Sequence, residues 1–242
     1  MCDSCDEKVA AWGGWLDVPA PTESGRGPWT DLSYVLGPGT PGGPPRPIRI
    51  ERVHSLPKDL FNLTDIQMYA HNGTHVDAPL HYIADGPAVH EIPLDRLYGP
   101  AVVWRIDAPP LHFIQPAELE RQRPRLKPGD ILVIDWGWAD RIGTPDYARP
   151  PSLSVEAAEW LVRQGVKMLA VDTRSPDAPL AARWAGWRYP VHHVLLSKGV
   201  LIAECLRNLH GLAGRRVEAM FLGLNLQDSD GSPARVLARP LD

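Results

Sequence analysis

The chain has 242 residues, 44% of them hydrophobic, and a net charge of −4. That length suits one domain with a sizeable core, or at most two small ones. The mildly acidic balance gives no basic footprint for nucleic acid, and the sequence holds no run of about 18 apolar residues that could span a membrane.

In chain order, the opening MCDSCDEKVAAWGGWL lacks the basic start and apolar core of a secretory signal, which points to a cytoplasmic protein. Cys2 and Cys5 make a CxxC pair, but no second pair accompanies it, so it reads as part of an accessory tail. The segment GPGTPGGPPRP (37–47) can be neither a helix nor a central strand, because its prolines lack N–H donors and its glycines are too permissive. It is expected to run extended over the surface or across a neighbouring subunit. IQMYA (66–70), AVVWRI (101–106) and DILVIDW (130–136) read as strands. SVEAAEWLVRQG (154–165) reads as an amphipathic helix, with Ser154 as N-cap, Leu161 and Val162 on its apolar face and Gly165 as its end. VKMLAVDT (166–173) follows as a buried strand, which makes a helix-to-strand unit of α/β type. VHHVLLSKG (191–199) predicts a short helix and VLIAEC (200–205) a strand, with Cys205 a small core residue. VEAMFLGLNL (217–226) and PARVLARPL (233–241) close the chain as strands. The reading is a single α/β domain with a mixed β-sheet and flanking helices.

Chemistry concentrates in HNGTHVDAPLH (71–81), which holds three of the nine histidines. Its polar side chains, His71, His75, Asp77 and His81, fall at even offsets, so on an extended segment they share one face. Gly73 and Pro79 argue against a helix. Two imidazoles and a carboxylate suit zinc or manganese, and three protein ligands leave a position open for water. Gly73 is expected to let the backbone pass close to the ion, and Thr74 to orient a ligand. A hydrogen-bonded surface loop is the bland alternative. His54, His90, His112 and His210 lie outside any motif and read as surface or capping residues. Trp136 and Trp138 could be core aromatics or line a pocket. Asp172 ends a strand, where α/β active sites often gather, but it could equally cap a turn.

The segment resembles the HxGTHxDxPxH signature of the cyclase family of metal-dependent hydrolases, which includes bacterial kynurenine formamidase and isatin hydrolase. DGPAVHEIPLDRLYGPAVV (85–103), GDILVIDWGW (129–138), VDTRSPD (171–177), VHHVLLSKGVLIAECLRNL (191–209) and GSPARVLA (231–238) extend the likeness from about Trp29 to the C-terminus. It implies an N-terminal extension over 1–28, a domain over 29–242, and the family's swivelling β/β/α-like fold. It also implies that His71, His75 and Asp77 are metal ligands and that His81 is the catalytic acid/base. A later His and Glu twelve apart in the family match His192 and Glu204, which either hold a second ion with Asp77 or serve a single-ion site. Taken from the residues alone, His192 and Glu204 could be an ordinary polar pair.

A divalent ion lowers the pKa of bound water and polarises a carbonyl, which is what hydrolysis of an unactivated amide needs. The expected activity is therefore cleavage of a C–N bond in an aryl formamide or a cyclic amide or imide, with His81 passing a proton to the departing nitrogen and Glu204 assisting. No GxSxG motif offers a covalent route. A cyclising or dehydrating enzyme, a lactone hydrolase and a metal-stabilised binding module are the rivals. The expected partners are a small-molecule substrate and, in a homodimer or homotetramer, further copies of the chain.

Overall fold

The computed structural model describes residues 13–14, 27–41 and 47–241. The Cys2–Cys5 pair, nearly all of the 1–28 extension and residues 42–46 of the Pro/Gly-rich segment lie outside the described residues. The strands in chain order are β1 (Thr30–Asp31), β2 (Arg49–His54), β3 (Leu63–Gln67), β4 (His75–Asp77), β5 (Tyr98–Arg105) and β6 (Phe113–Ile114). They continue with β7 (Ile131–Asp135), β8 (Ser152–Leu153), β9 (Met168–Val171), β10 (Leu201–Glu204), β11 (Arg216–Gly223) and β12 (Gly231–Pro240). Among the described residues, the α-helices are α1 (Pro116–Glu120), α2 (Val155–Arg163) and α3 (Pro190–Leu196), with several single 3₁₀ turns between elements.

Among the described residues, eight strands form one sheet in the order β1-β12-β11-β5-β7-β9-β10-β4. β12 also pairs with β4, so the sheet curls into a barrel-like ring. β5, β7, β9 and β10 are parallel neighbours, and the remaining pairs are antiparallel. The sheet is mixed, as the sequence predicted.

The parallel strands read as continuous apolar runs because both their faces are buried. Ala101, Val103, Ile131, Val133, Met168 and Ala170 point into the ring, against Phe221 and Val236. The alternate residues, Val102, Trp104, Leu132, Ile134, Leu169 and Val171, pack outward against Ala157, Ala158 and Leu161 of α2 and Leu195 and Leu196 of α3. Each fully buried side chain of this size contributes roughly 1.5–3 kcal/mol. Helix α2 starts as predicted: the Ser154 hydroxyl accepts the Ala157 N–H at 3.1 Å. Gly165 ends it with φ +72°, a left-handed conformation that glycine adopts without steric cost.

Three local expectations change. The strand predicted over 66–70 ends at Gln67, because Asn72 turns the chain by accepting the Tyr69 N–H at 2.7 Å. It belongs to a two-stranded ribbon with β2, which sequence reading missed; all the ribbon's residues are exposed. The described part of the Pro/Gly-rich segment folds back on its own domain. Gly73 N–H donates to Pro41 O at 3.1 Å, and residues 37–41 line a cavity with Tyr34, Asp140 and Arg207.

Candidate active site

The residues of HNGTHVDAPLH converge by turns rather than along one extended run. Only His75–Asp77 is a strand, while His81 ends a 3₁₀ turn begun by Pro79. β4 is held on both sides. His75 lies opposite Glu204 of β10 and Pro233 of β12, and Asp77 lies opposite Ile202 and Gly231. Sheet register therefore brings Glu204 to the histidine segment across 129 residues of chain. Helix α3 supplies His192 from its first turn, where Pro190 fits because its missing N–H would have no helical acceptor.

The polar atoms meet closely. His71 Nδ1 lies 2.8 Å and His75 Nε2 3.3 Å from Asp77 Oδ1. His75 Nε2 is also 3.4 Å from Glu204 Oε2, and His192 Nε2 is 3.2 Å from Glu204 Oε1 and 3.6 Å from Asp77 Oδ2. His75, Asp77, His192 and Glu204 are all buried. Three compact groups of potential ligands result among the described residues, His71–His75–Asp77, Asp77–His192–Glu204 and His71–His81–Asp230, and Asp77 belongs to the first two.

Each of the imidazoles of His71, His75 and His192 turns one nitrogen to this centre and is fastened through the other. His75 Nδ1 bonds the Gly73 carbonyl at 2.8 Å, His192 Nδ1 bonds Asp177 Oδ2 at 2.6 Å, and His71 Nε2 bonds Asp230 Oδ2 at 2.8 Å. Such outer contacts set ring orientation and tautomer in metal sites. Asp177 also receives the Val191 and His192 N–H groups at the start of α3. The same Asp230 oxygen bonds His81 Nδ1 at 2.8 Å, and the rings of His71 and His81 stack with centroids 4.0 Å apart. The His71 ring lies against Gly231, where an added Cβ would meet its Cε1 at 2.5 Å.

Burial opposes charge on these imidazoles, but their carboxylate partners outweigh it. His71 is raised to about 9 by Asp230 and Asp77, and His75 to about 10 by Asp77 and Glu204. Burial also opposes ionisation of Asp77, yet the imidazoles of His192, His71 and His75 that face it hold it well below the usual carboxylate range.

Asp230 and Asp177 are the residues that sequence reading missed. Asp230 immediately precedes the quoted GSPARVLA segment, and Asp177 ends VDTRSPD, where attention fell on Asp172. Asp172 instead fastens a turn: it accepts the Trp136, Trp138 and Ala139 N–H groups. Trp136 and Trp138 are core residues. The Thr74 hydroxyl donates to the Cys205 carbonyl, next to Glu204, and accepts the Tyr34 N–H. The close approach at Gly73 is to Leu36 and Thr40, since a Cβ there would lie 2.6 and 2.8 Å from their side chains. His90, His112 and His210 make local contacts with Asp228 N–H, Glu118 and Asp140.

The centre opens into a cavity of about 470 Å³ whose walls include Tyr82, Tyr147, Tyr189, Arg174 and Arg183. The Cyclase family profile matches residues 30–178, more than half of the chain.

The chain belongs to the cyclase family.

Among its curated relatives, this family member is 32% identical over 224 residues to kynurenine formamidase of Geobacillus thermodenitrificans, covering 88% of this chain and 98% of the relative. It is 31% identical over 185 residues to kynurenine formamidase of Bordetella petrii, covering 74% and 81%. Among solved structures it resembles isatin hydrolase A from Labrenzia aggregata bound to benzyl benzoate, with a TM-score of 0.79 and 27% identity over 89% of this chain and 94% of that one.

Proposed function

We propose that this cyclase-family protein is a metal-dependent amidohydrolase that cleaves the C–N bond of an aryl formamide or a cyclic amide or imide. One observation carries the reading. Asp77 Oδ2 and Glu204 Oε1 are buried with no hydrogen-bond partner, amid three imidazoles. Leaving such an oxygen unsatisfied costs free energy, and a divalent cation is what two facing carboxylates and three histidines accommodate. The donor set therefore fits a metal. His71, His75 and Asp77 would hold one ion, and Asp77, His192 and Glu204 a second where two are bound; zinc and manganese both suit these ligands.

When bound, such an ion polarises the substrate carbonyl and makes water a better nucleophile at neutral pH. The protein's own residues do the rest. In the overall reaction the oxygen of water joins the acyl carbon, the C–N bond breaks, and a proton reaches the departing nitrogen. His81 carries that proton. Asp230 engages its Nδ1, which leaves Nε2 for exchange with substrate. Tyr82 lies edge-on to His81 at 4.6 Å and tilted over His192 at 4.6 Å, and it shields the ligands on the cavity side. The curated relatives are named for formamidase activity and a structural neighbour for isatin hydrolysis, which supports an amide as substrate. Among the described residues, no helix is long and apolar enough to cross a membrane.

The test is a metal-supplemented hydrolysis screen over N-formyl anilides, lactams, cyclic imides and lactones in oxygen-18 water. Turnover of an amide with label in the new carboxylate is expected. Asp77→Ala should lose both bound metal and activity. Full metal occupancy in that variant would remove Asp77 from the site, and label-free product would replace hydrolysis with a cyclising or dehydrating reaction.

A further inference from the structure

The cavity at the histidine centre is also lined by two guanidinium groups that the hydrolytic chemistry does not use, those of Arg174 and Arg183. Arg174 lies three residues past the end of β9, in the turn that leads to Asp177. Its charge acts on the hydroxyl of Tyr147, another wall residue. Arg183 is held more definitely. Its Nε donates to the Ala178 carbonyl at 2.9 Å, its Nη1 lies 2.9 Å from the Tyr189 hydroxyl, and its Cζ sits 4.5 Å from the centre of the Tyr189 ring. A guanidinium fixed at three points over an aromatic face is preorganised, and it loses little further freedom when it binds an anion.

Tyr189, which holds it, is itself unusual. It precedes Pro190 at the start of α3 with φ 53° and ψ 58°, a left-handed conformation that costs a bulky residue of order 1–3 kcal/mol. Tyr189 in turn touches the reaction centre. Its ring lies 5.4 Å from that of Tyr82 and 6.1 Å from that of His192. One aromatic ring therefore separates the Arg183 guanidinium from a ligand of the centre. Tyr82, Tyr147 and Tyr189 offer faces for an aryl ring, and the two arginines are the permanently charged cations of the lining.

We infer that the cavity selects an aryl amide that carries a carboxylate, with Arg183 as the group that receives that carboxylate and Arg174 adding to the positive field. The inference rests on the amidohydrolase reading and names its substrate class. The acyl group lies at the histidines, the aryl ring between the tyrosines, and the carboxylate at Arg183. An arginine fork pairs with a carboxylate in two parallel hydrogen bonds, which discriminates by geometry as well as charge. A neutral formanilide of the same shape lacks this contact.

The experiment compares kcat/KM of the metal-loaded enzyme for N-formylanthranilate and for the uncharged N-formyl-2-aminobenzamide. The wild type should prefer the anion by at least about tenfold, the scale of one charge-assisted hydrogen bond. Arg183→Met should bring the ratio toward one, mainly by raising KM for the anion, while kcat/KM for the neutral amide stays within about twofold. Arg183→Lys should restore part of the preference, since it keeps the charge and loses the fork. A wild type that favours the neutral amide, or an Arg183→Met loss shared equally by both substrates, overturns the inference; the second pattern marks Arg183 as a tether of its loop. If neither amide is hydrolysed, the amidohydrolase reading fails, and calorimetric binding of benzoate then decides the inference separately. Benzoate should bind Arg183→Met holoenzyme at least about tenfold more weakly than wild type, and equal binding overturns it.

Discussion

At the scale of single residues, Asp230 ties two histidines of the centre together. One carboxylate oxygen bonds both His71 Nε2 and His81 Nδ1, each at 2.8 Å, so Asp230 orients two rings together, those of the proposed ligand and the proposed acid/base. Asp230→Asn keeps the shape and removes the charge. Its metal affinity, measured against a competing chelator, is expected to fall by on the order of 10–100-fold. Turnover at saturating metal should fall too, and an unchanged affinity would confine Asp230 to His81. His81→Ala separates the two roles from the other side. It should retain metal and lose turnover on the order of 10²–10⁴-fold, the usual range for general acid–base catalysis. His71, His81 and Asp230 also stand close enough to form a ligand group of their own. Metal-free His81→Ala protein would therefore make His81 a ligand and move proton transfer elsewhere.

At the scale of elements, the parallel strands depend on how their entrances are tied. Lys167, just before β9, is buried, and its Nζ donates to the Asp95 carbonyl at 2.7 Å and the Tyr98 carbonyl at 2.6 Å. Burial lowers its pKa from 10.5 to about 8, with Asp95 and Asp130 opposing that shift and Arg96 adding to it. The unfolded chain thus holds this proton more tightly than the folded chain, and stability rises with pH where the unfolded state binds more protons. Between about pH 8 and 10.5 the wild type should therefore gain stability relative to Lys167→Met, read as the difference in urea midpoints. Parallel curves would show that Lys167 titrates as it does in water. The same elements show what the sequence could convey. Strands β5, β7, β9 and β10 were legible because burial on both faces leaves an unbroken apolar run, and α2 because its cap and apolar stripe are local. His71, His75, Asp77 and His81 were legible because they lie within eleven residues of one another. Asp230 was not, because only the pairing of β12 with β4 brings its end of the chain to the histidines. Asp177 was hidden for a similar reason: its partner, His192, lies on a helix fifteen residues further on. The ribbon of β2 and β3 was hidden because charged residues interrupt its apolar ones and no core marks a face.

At the scale of the whole molecule, that ribbon is the feature a single copy of the chain does not explain. Ile50 pairs directly opposite Ile66, and Phe61 stands at the turn between the strands, yet Ile50 is 43%, Phe61 55% and Ile66 59% exposed. Leu60 beside them is 95% exposed. An isolated two-stranded ribbon is marginally stable in water, and an apolar patch of this kind marks a surface that another molecule covers. Glu51 faces Asp65 across the ribbon, a like-charge pair that weakens it further when alone. We propose that a second copy of the chain supplies the cover, with the ribbon rather than the Pro/Gly-rich segment as the arm, in a homodimer or a dimer of dimers. β3 ends four residues before His71, so a partner seated on the ribbon comes close to the reaction centre of the first copy. Light scattering at micromolar concentration should give at least twice the 26.7 kDa of one chain. Ile66→Glu should shift that mass toward the monomer and lower activity with it, because a charge at the patch must be desolvated on association. A wild-type mass near 26.7 kDa with activity intact would rule the dimer out.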